Sequence, residues 1–204
     1  MKQMKDLAKE AINVQDACNL SGVVHSFSRI ITELREIAVP NHVDMDLTIT
    51  GDVDSLRSFE DFSQDKNNVL SADKFIPYPD EYKKMDEIAK VARNQTPPNY
   101  SIKDGFNSGG YEWCVKNWGT KWGIYSTELL SSKLEGKKGN LKYNCQSAWS
   151  PPKPVIVAMS SKFPTLKFSL KYYERGCAYK GTFVVVNGEV QKDETSDYRG
   201  NRGG

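Results

Sequence analysis

Histidine is scarce. The 204-residue chain has two, His25 and His42. Neither adjoins a recognisable nucleophile motif, and two isolated imidazoles speak against a histidine-rich metal site. Cysteine is sparse and scattered: Cys18, Cys114, Cys145 and Cys177 make no CxxC pair. That argues against a zinc ribbon and against a thioredoxin-type redox site. Long apolar runs are missing too. The longest pieces, such as Val155–Met159 and Phe183–Val186, fall far short of the ~20 residues that cross a bilayer. The opening Met1-Lys2-Gln3-Met4-Lys5-Asp6 leads into a charged helical pattern with no apolar secretion core. The expectation is a cytoplasmic chain, no membrane association and free thiols. Phosphate-cradling loops are absent as well. Gly105-Phe106-Asn107-Ser108-Gly109-Gly110 spaces its glycines like a P-loop start, but Tyr111 stands where lysine is required. No nucleotide hydrolysis, no cofactor, no metal and no catalytic residue is expected.

What the chain does have is aromatic mass and uneven charge. Eight Phe, ten Tyr and four Trp suffice for a core, which excludes wholesale disorder. Net charge is +2, but residues 1–40 balance to zero, residues 41–100 sum to −5 and residues 101–204 to +7. The C-terminal half can meet an anionic partner that the middle would repel.

Hydrophobic spacing divides the chain. Within residues 1–40, Leu7, Ala11, Val14, Ala17 and Cys18 mark one helix. Val23, Val24, Phe27, Ile30, Ile31, Leu34 and Ile37 mark a second, capped by Ser21. Such a helical hairpin must dock on the rest of the chain or on another copy, so a homo-oligomer through these helices is one expectation. Met45–Thr50 alternates as a strand, followed by a helix with Val53, Leu56, Phe59 and Phe62 that Asp52 or Asp54 can cap. Phe75-Ile76-Pro77-Tyr78-Pro79 suggests a strand end or edge. Glu81–Arg93 suggests a helix with Tyr82, Met85, Ile88, Ala89 and Ala92 on its apolar face. Residues 94–110 suggest a loop. Strands are expected at Ile124–Thr127, Leu141–Cys145, Leu166–Tyr172 and Thr182–Val186, with a helix at Val155–Phe163 opened by Pro154. Asn187-Gly188 turns the chain, and residues 191–204 are expected as a flexible tail. The expectation is α+β, an antiparallel sheet covered by helices on one face, spanning residues 41–190 behind the hairpin.

The most unusual stretch is Tyr111–Trp122, which holds three of the four tryptophans. Trp113, Trp118, Trp122 and Trp149, with Lys116 and Lys121, form the candidate ligand-binding set. Indoles stack on bases and lysines meet phosphates. The competing reading is that these rings are core, with their N–H groups bonded inside. On that reading, Trp118 and Trp122 share a helix face four residues apart, and Gly119 marks a tight junction. A second basic set, Lys133, Lys137, Lys138 and Lys142 with Arg199 and Arg202 in the tail, suits a solvated turn and tail.

The run Trp113-Cys114-Val115-Lys116-Asn117-Trp118-Gly119-Thr120-Lys121-Trp122 resembles the signature of the YubB ferredoxin-like domain. Leu47–Gly51, Phe75–Pro79 and Ala148-Trp149-Ser150-Pro151-Pro152-Lys153-Pro154 agree with it in order. The resemblance covers roughly residues 41–190. It implies a ferredoxin-like fold without an iron–sulfur cluster, and a source in phages, plasmids or integrated elements. Residues 14–27 resemble a helical segment of small mobile-element proteins. Neither likeness assigns a role to any residue. The expectation is a non-enzymatic binding or accessory protein, used in counter-defence by sequestering a host protein or a nucleotide signal. The alternative is a single-stranded nucleic-acid binder, because ferredoxin-like sheets also carry RNA on their exposed face.

Overall fold

The computed structural model describes residues 41–200. The expected N-terminal hairpin, with His25 and Cys18, lies outside the described residues.

The first strand, β1 (His42–Asp52), buries Val43, Met45, Leu47 and Ile49 and turns the residues between them the other way. Alternation of this kind puts one face on a core and leaves the other wet. Asp52 ends the strand and caps the next element, its carboxylate accepting from the Ser55 N–H at 2.8 Å. Helix α1 (Val53–Ser63) follows, burying Val53, Leu56 and Phe59. Phe59 touches the rings of Phe75, Tyr143, Phe163 and Phe168, which places it at the centre of the core.

Residues 64–124 are an insertion. The segment Phe75–Pro79 is not a strand. A 3-10 turn, Ala72–Lys74, leads into it, and the Tyr78 N–H is held by Asp73. Proline at two of its five positions removes the donors a ladder needs. Helix α2 (Asp80–Arg93) faces inward with Ala89 and Ala92. Ile88, expected on that face, is exposed, as is Val91. Arg93 ties the helix to the buried Asp104, whose other oxygen accepts from the Asn107 N–H. Helix α3 (Gly110–Trp118) then stops at Gly119, whose φ is +75°. A Cβ there would lie 2.8 Å from Pro154 Cδ. Glycine is therefore required by both conformation and contact.

The remaining elements are β2 (Tyr125–Lys133), β3 (Lys138–Ala148), α4 (Lys153–Lys162), β4 (Lys167–Glu174), β5 (Tyr179–Val186) and β6 (Glu189–Asp197). All six strands form one sheet in the order β2-β3-β1-β4-β5-β6, antiparallel throughout. Strands β1 and β2 flank β3, while β3 and β4 flank β1. This is a pair of interleaved β-α-β units, with α1 and α4 as the crossovers. Strands β5 and β6 extend the sheet beyond β4. The expected tail from residue 191 is thus a strand up to Asp197. Asn187 and Gly188 both have positive φ, +50° and +75°, and make the two-residue hairpin turn that sends the chain back along β5. No residue of β6 is buried, so it carries no hydrophobic alternation.

Candidate functional site

The structure divides the expected tryptophan set. Trp118 is 8% exposed and donates its indole N–H to the Ile76 carbonyl at 2.8 Å. Trp113 meets it edge-on at 5.3 Å between centroids, and Tyr78 touches both rings. This group joins α3 to the Phe75–Pro79 segment of the same insertion and belongs to the core. Lys116 is exposed on α3. Trp118 and Trp122 do not share a helix face, because Gly119 ends the helix between them.

Lys121, Trp122 and Trp149 do converge. Lys121 is 3% exposed, and its ammonium lies 4.6 Å from the Trp122 centroid and 4.7 Å from that of Trp149. Two indole faces offer negative quadrupole to one cation. Burial nevertheless pulls the lysine pKa below its ordinary value. The surrounding hydrogen bonds show what the clip holds. The Thr120 hydroxyl donates to the Ala148 carbonyl at 2.6 Å, and the Trp149 N–H donates to the Asn41 carbonyl at 2.9 Å. Trp122 packs edge-on against Tyr125, whose hydroxyl meets His42 Nδ1 at 2.8 Å. Lys121 therefore fastens the α3–β2 connection to the end of β3. Of its two indoles only Trp122 is exposed, at 41%.

A different surface gathers groups that suit a ligand. The helices pack on the face carrying Met45, Tyr143, Leu170 and Phe183. Among the described residues nothing packs on the opposite face. Register fixes who shares it: Lys142, Thr48, Ser169 and Val184 form one row across β3, β1, β4 and β5. Asn144, Asp46, Lys171 and Thr182 form the next, followed by Gln146, Asp44, Tyr173 and Lys180. Lys167 and Lys171 are two strand repeats apart, with Tyr173 beyond them. Tyr173 pairs in register with Lys180 on β5, and the Tyr198 ring lies 5.8 Å from its own. Lys171, Tyr173, Lys180, Thr182, Glu194 and Ser196 line a shallow groove of about 260 Å³. The carboxylates beside it are engaged. Asp44 is held by Arg175 at 3.2 Å and Gln146 at 2.8 Å, and Asp46 accepts from Asn144 at 3.0 Å. The β4–β5 strip is therefore the basic, aromatic part of this face. Sequence reading missed it. The signal lay in the residues between the apolar ones, Lys167, Ser169, Lys171 and Tyr173, which the alternation places together on the wet side.

A sheet of this kind has relatives among known proteins. Residues 121–201 match the family model described as the ferredoxin-like domain in Api92-like protein. The match begins at Lys121 and takes in the Lys121–Trp149 clip, both crossover partners of α4 and the whole β4–β6 strip. A crystal structure of a protein Api92 from Yersinia pseudotuberculosis is similar in fold, with a TM-score of 0.50 at 9% sequence identity. The similarity covers 80% of this chain and 99% of that one. No curated protein matches the chain. The ferredoxin-like, α+β architecture expected from the sequence is thereby shown. The family model matched is that of Api92-like proteins rather than YubB.

Proposed function

We propose that the protein is a non-enzymatic binding protein that holds single-stranded nucleic acid across the open face of its sheet. The observation that carries this reading is the β4–β5 strip, where Lys171 and Lys180 flank Tyr173 and Lys167 lies further along β4, on a face that no described helix covers. A strand of nucleic acid needs a cationic track for its phosphates and a flat ring for a base, and each stacked base contributes about 1–3 kcal/mol. A sheet is a flat support for both. The tryptophans, by contrast, are engaged in holding the fold.

The likeness of the Trp113–Trp122 and Ala148–Pro154 runs to YubB supports a source in phages or plasmids, and with it a place in the host cytoplasm. In that setting the reading suggests counter-defence, the protein withholding a nucleic acid or a factor bound to it.

The test is fluorescence anisotropy with a labelled oligouridylate or oligothymidylate. Wild-type chain should bind, and Lys171→Gln with Lys180→Gln should weaken binding by about tenfold or more, since each lost phosphate contact removes a share of the electrostatic affinity. Lys116→Gln, on the far side of the sheet, should leave binding unchanged. Equal loss in all variants, or no binding by wild-type chain, would sink the proposal.

A further inference from the structure

The covered side of the sheet holds a second concavity, where the start of α4 overhangs β4, β5 and β6. Its volume is about 330 Å³, at the small end of the range of small-molecule sites. The walls are rings. Pro151, Pro154 and Tyr179 line it, together with the buried Tyr172, the two phenols meeting edge-on at 6.1 Å. Glycine matters at two positions, Gly119 at the cleft itself and Gly181 behind it, where it makes room for the Tyr172 ring. Gly119 has no side chain to fill the end next to Pro154, and a Cβ at Gly181 would collide with the Tyr172 ring.

Polar groups reach this apolar cleft at a few points. The Tyr172 and Thr195 hydroxyls share a hydrogen bond of 2.8 Å, so one proton between them can turn either way. The Tyr179 hydroxyl donates to the Trp149 carbonyl at 2.8 Å, which leaves its lone pairs as acceptors. Lys153 supplies the charge. Its ammonium lies 5.7 Å from the Tyr172 centroid and pairs with Asp193 at 2.5 Å. An ammonium has three donors, and this carboxylate takes one. The side chains of Lys153 and Asp193 are 30% and 44% exposed, so the pair sits at the mouth, open to exchange. Such a pair contributes little stability. An entering anion can therefore share the ammonium or displace Asp193 from it.

We infer that this cleft binds a flat aromatic ring bearing one anionic group, of the size of a 5′-mononucleotide, with the ring against the prolines and tyrosines and the anion on Lys153. The site is independent of the open-face reading, since it lies on the opposite side of the sheet and uses none of its lysines.

The test is amide chemical-shift mapping and calorimetry with adenosine, guanosine, cytidine and uridine 5′-monophosphates, with benzoate as a non-nucleotide member of the class and inorganic phosphate as the ringless probe. Binding should perturb Tyr172, Tyr179 and Thr195, and phosphate alone should bind far more weakly. Lys153→Met should raise Kd by about tenfold or more, and Asp193→Asn should lower it, because the ammonium loses its internal competitor. A merely structural ion pair would make the two substitutions act alike. Binding of benzoate but of no nucleotide would keep the ring-and-anion class and overturn the mononucleotide. The inference fails if none of these ring compounds shifts those residues at about 10 mM, if the shifts fall on Lys171 and Lys180 instead, or if Lys153→Met and Asp193→Asn change Kd in the same direction. Should Lys153→Met lose its native spectrum, Asp193→Asn alone still decides, since only a cleft anion predicts tighter binding.

Discussion

Lys121 shows how one residue can be costly and still structural. Its ammonium is nearly excluded from water, which favours the neutral amine and lowers its pKa in the folded chain. Two indoles offset part of that cost. The linkage has a definite sign. Between its folded pKa and the ordinary lysine value of 10.5, the unfolded chain binds more protons at this site than the folded chain does. Stability from this group is therefore fully present above 10.5 and lost as pH falls through the folded value. Tyr78, Tyr143 and Tyr179 act in the opposite direction, since burial raises their phenol pKa values and alkaline pH penalises the folded state for each. A difference measurement isolates the lysine. Urea unfolding of wild-type chain and of Lys121→Met, followed upward from about pH 7.5 toward the ordinary lysine pKa, should show wild-type gaining on the variant. A constant gap across that range would mean that Lys121 is as protonated folded as unfolded. The sequence grouped Lys121 and Lys116 with all four tryptophans as one converging set. It did not disclose that Lys121 faces Trp122 and Trp149, because that depends on Trp149 arriving from the far end of β3.

At the scale of elements, the boundary after α3 decides how the tryptophans are used. Gly119 takes the left-handed conformation that ends the helix, and its bare Cα faces Pro154 at the start of α4. Gly136, in the β2–β3 turn, has the same φ of +75°, but a Cβ placed on it would meet nothing within 4 Å. The two form a matched pair. Gly136→Ala should cost about 1 kcal/mol, the strain of an L-residue in that region. Gly119→Ala should cost that amount plus the displacement of α4, about 1–3 kcal/mol more, and should disturb the cleft that Gly119 lines. Thermal and urea unfolding of both variants measure the difference, and equal losses would show that α4 yields freely. The same contrast explains what could be read from sequence. Strand β1 was legible because its odd residues are apolar and its even ones polar. The end of α3 was less so, since four-residue spacing from Trp118 to Trp122 mimics a helix face until Gly119 is taken as a stop. On α2, Ile88 has the right spacing but the wrong angle: Ala89 and Ala92 take the contact, and Ile88 is left 57% exposed. Strand β6 had no signal of its own. Its pairing comes from the Asn187-Gly188 turn and from β5 offering an edge, so the polar run Gln191–Asp197 resembled a tail.

Over the whole molecule, charge and architecture are separated in a way that bears on binding. Residues 41–100, net −5, supply β1, α1 and much of the insertion; residues 101–204, net +7, supply five of the six strands. The strands themselves carry little of that excess, because β1 and β6 are acidic; Lys142, Lys167, Lys171 and Lys180 are instead gathered on the one face that no described helix covers, while Arg175, Gln146 and Asn144 occupy the nearby aspartates. A protein built this way should bind a single strand chiefly by releasing its counterions. Each phosphate neutralised on a single strand contributes about −0.7 to the slope of log affinity against log salt. Engagement of Lys167, Lys171 and Lys180 therefore predicts a slope of about −2, and removing two of them with Lys171→Gln and Lys180→Gln predicts about −0.7. Anisotropy titrations across a range of potassium chloride concentrations give both values. The slope is more informative than affinity alone, because a general loss of fold lowers affinity without reducing the number of ions released by the molecules that still bind. If the double variant keeps the wild-type slope, the strand lies elsewhere, with the hairpin lysines Lys137 and Lys138 as the nearest basic alternative, and the open face is only a solvated side of the sheet.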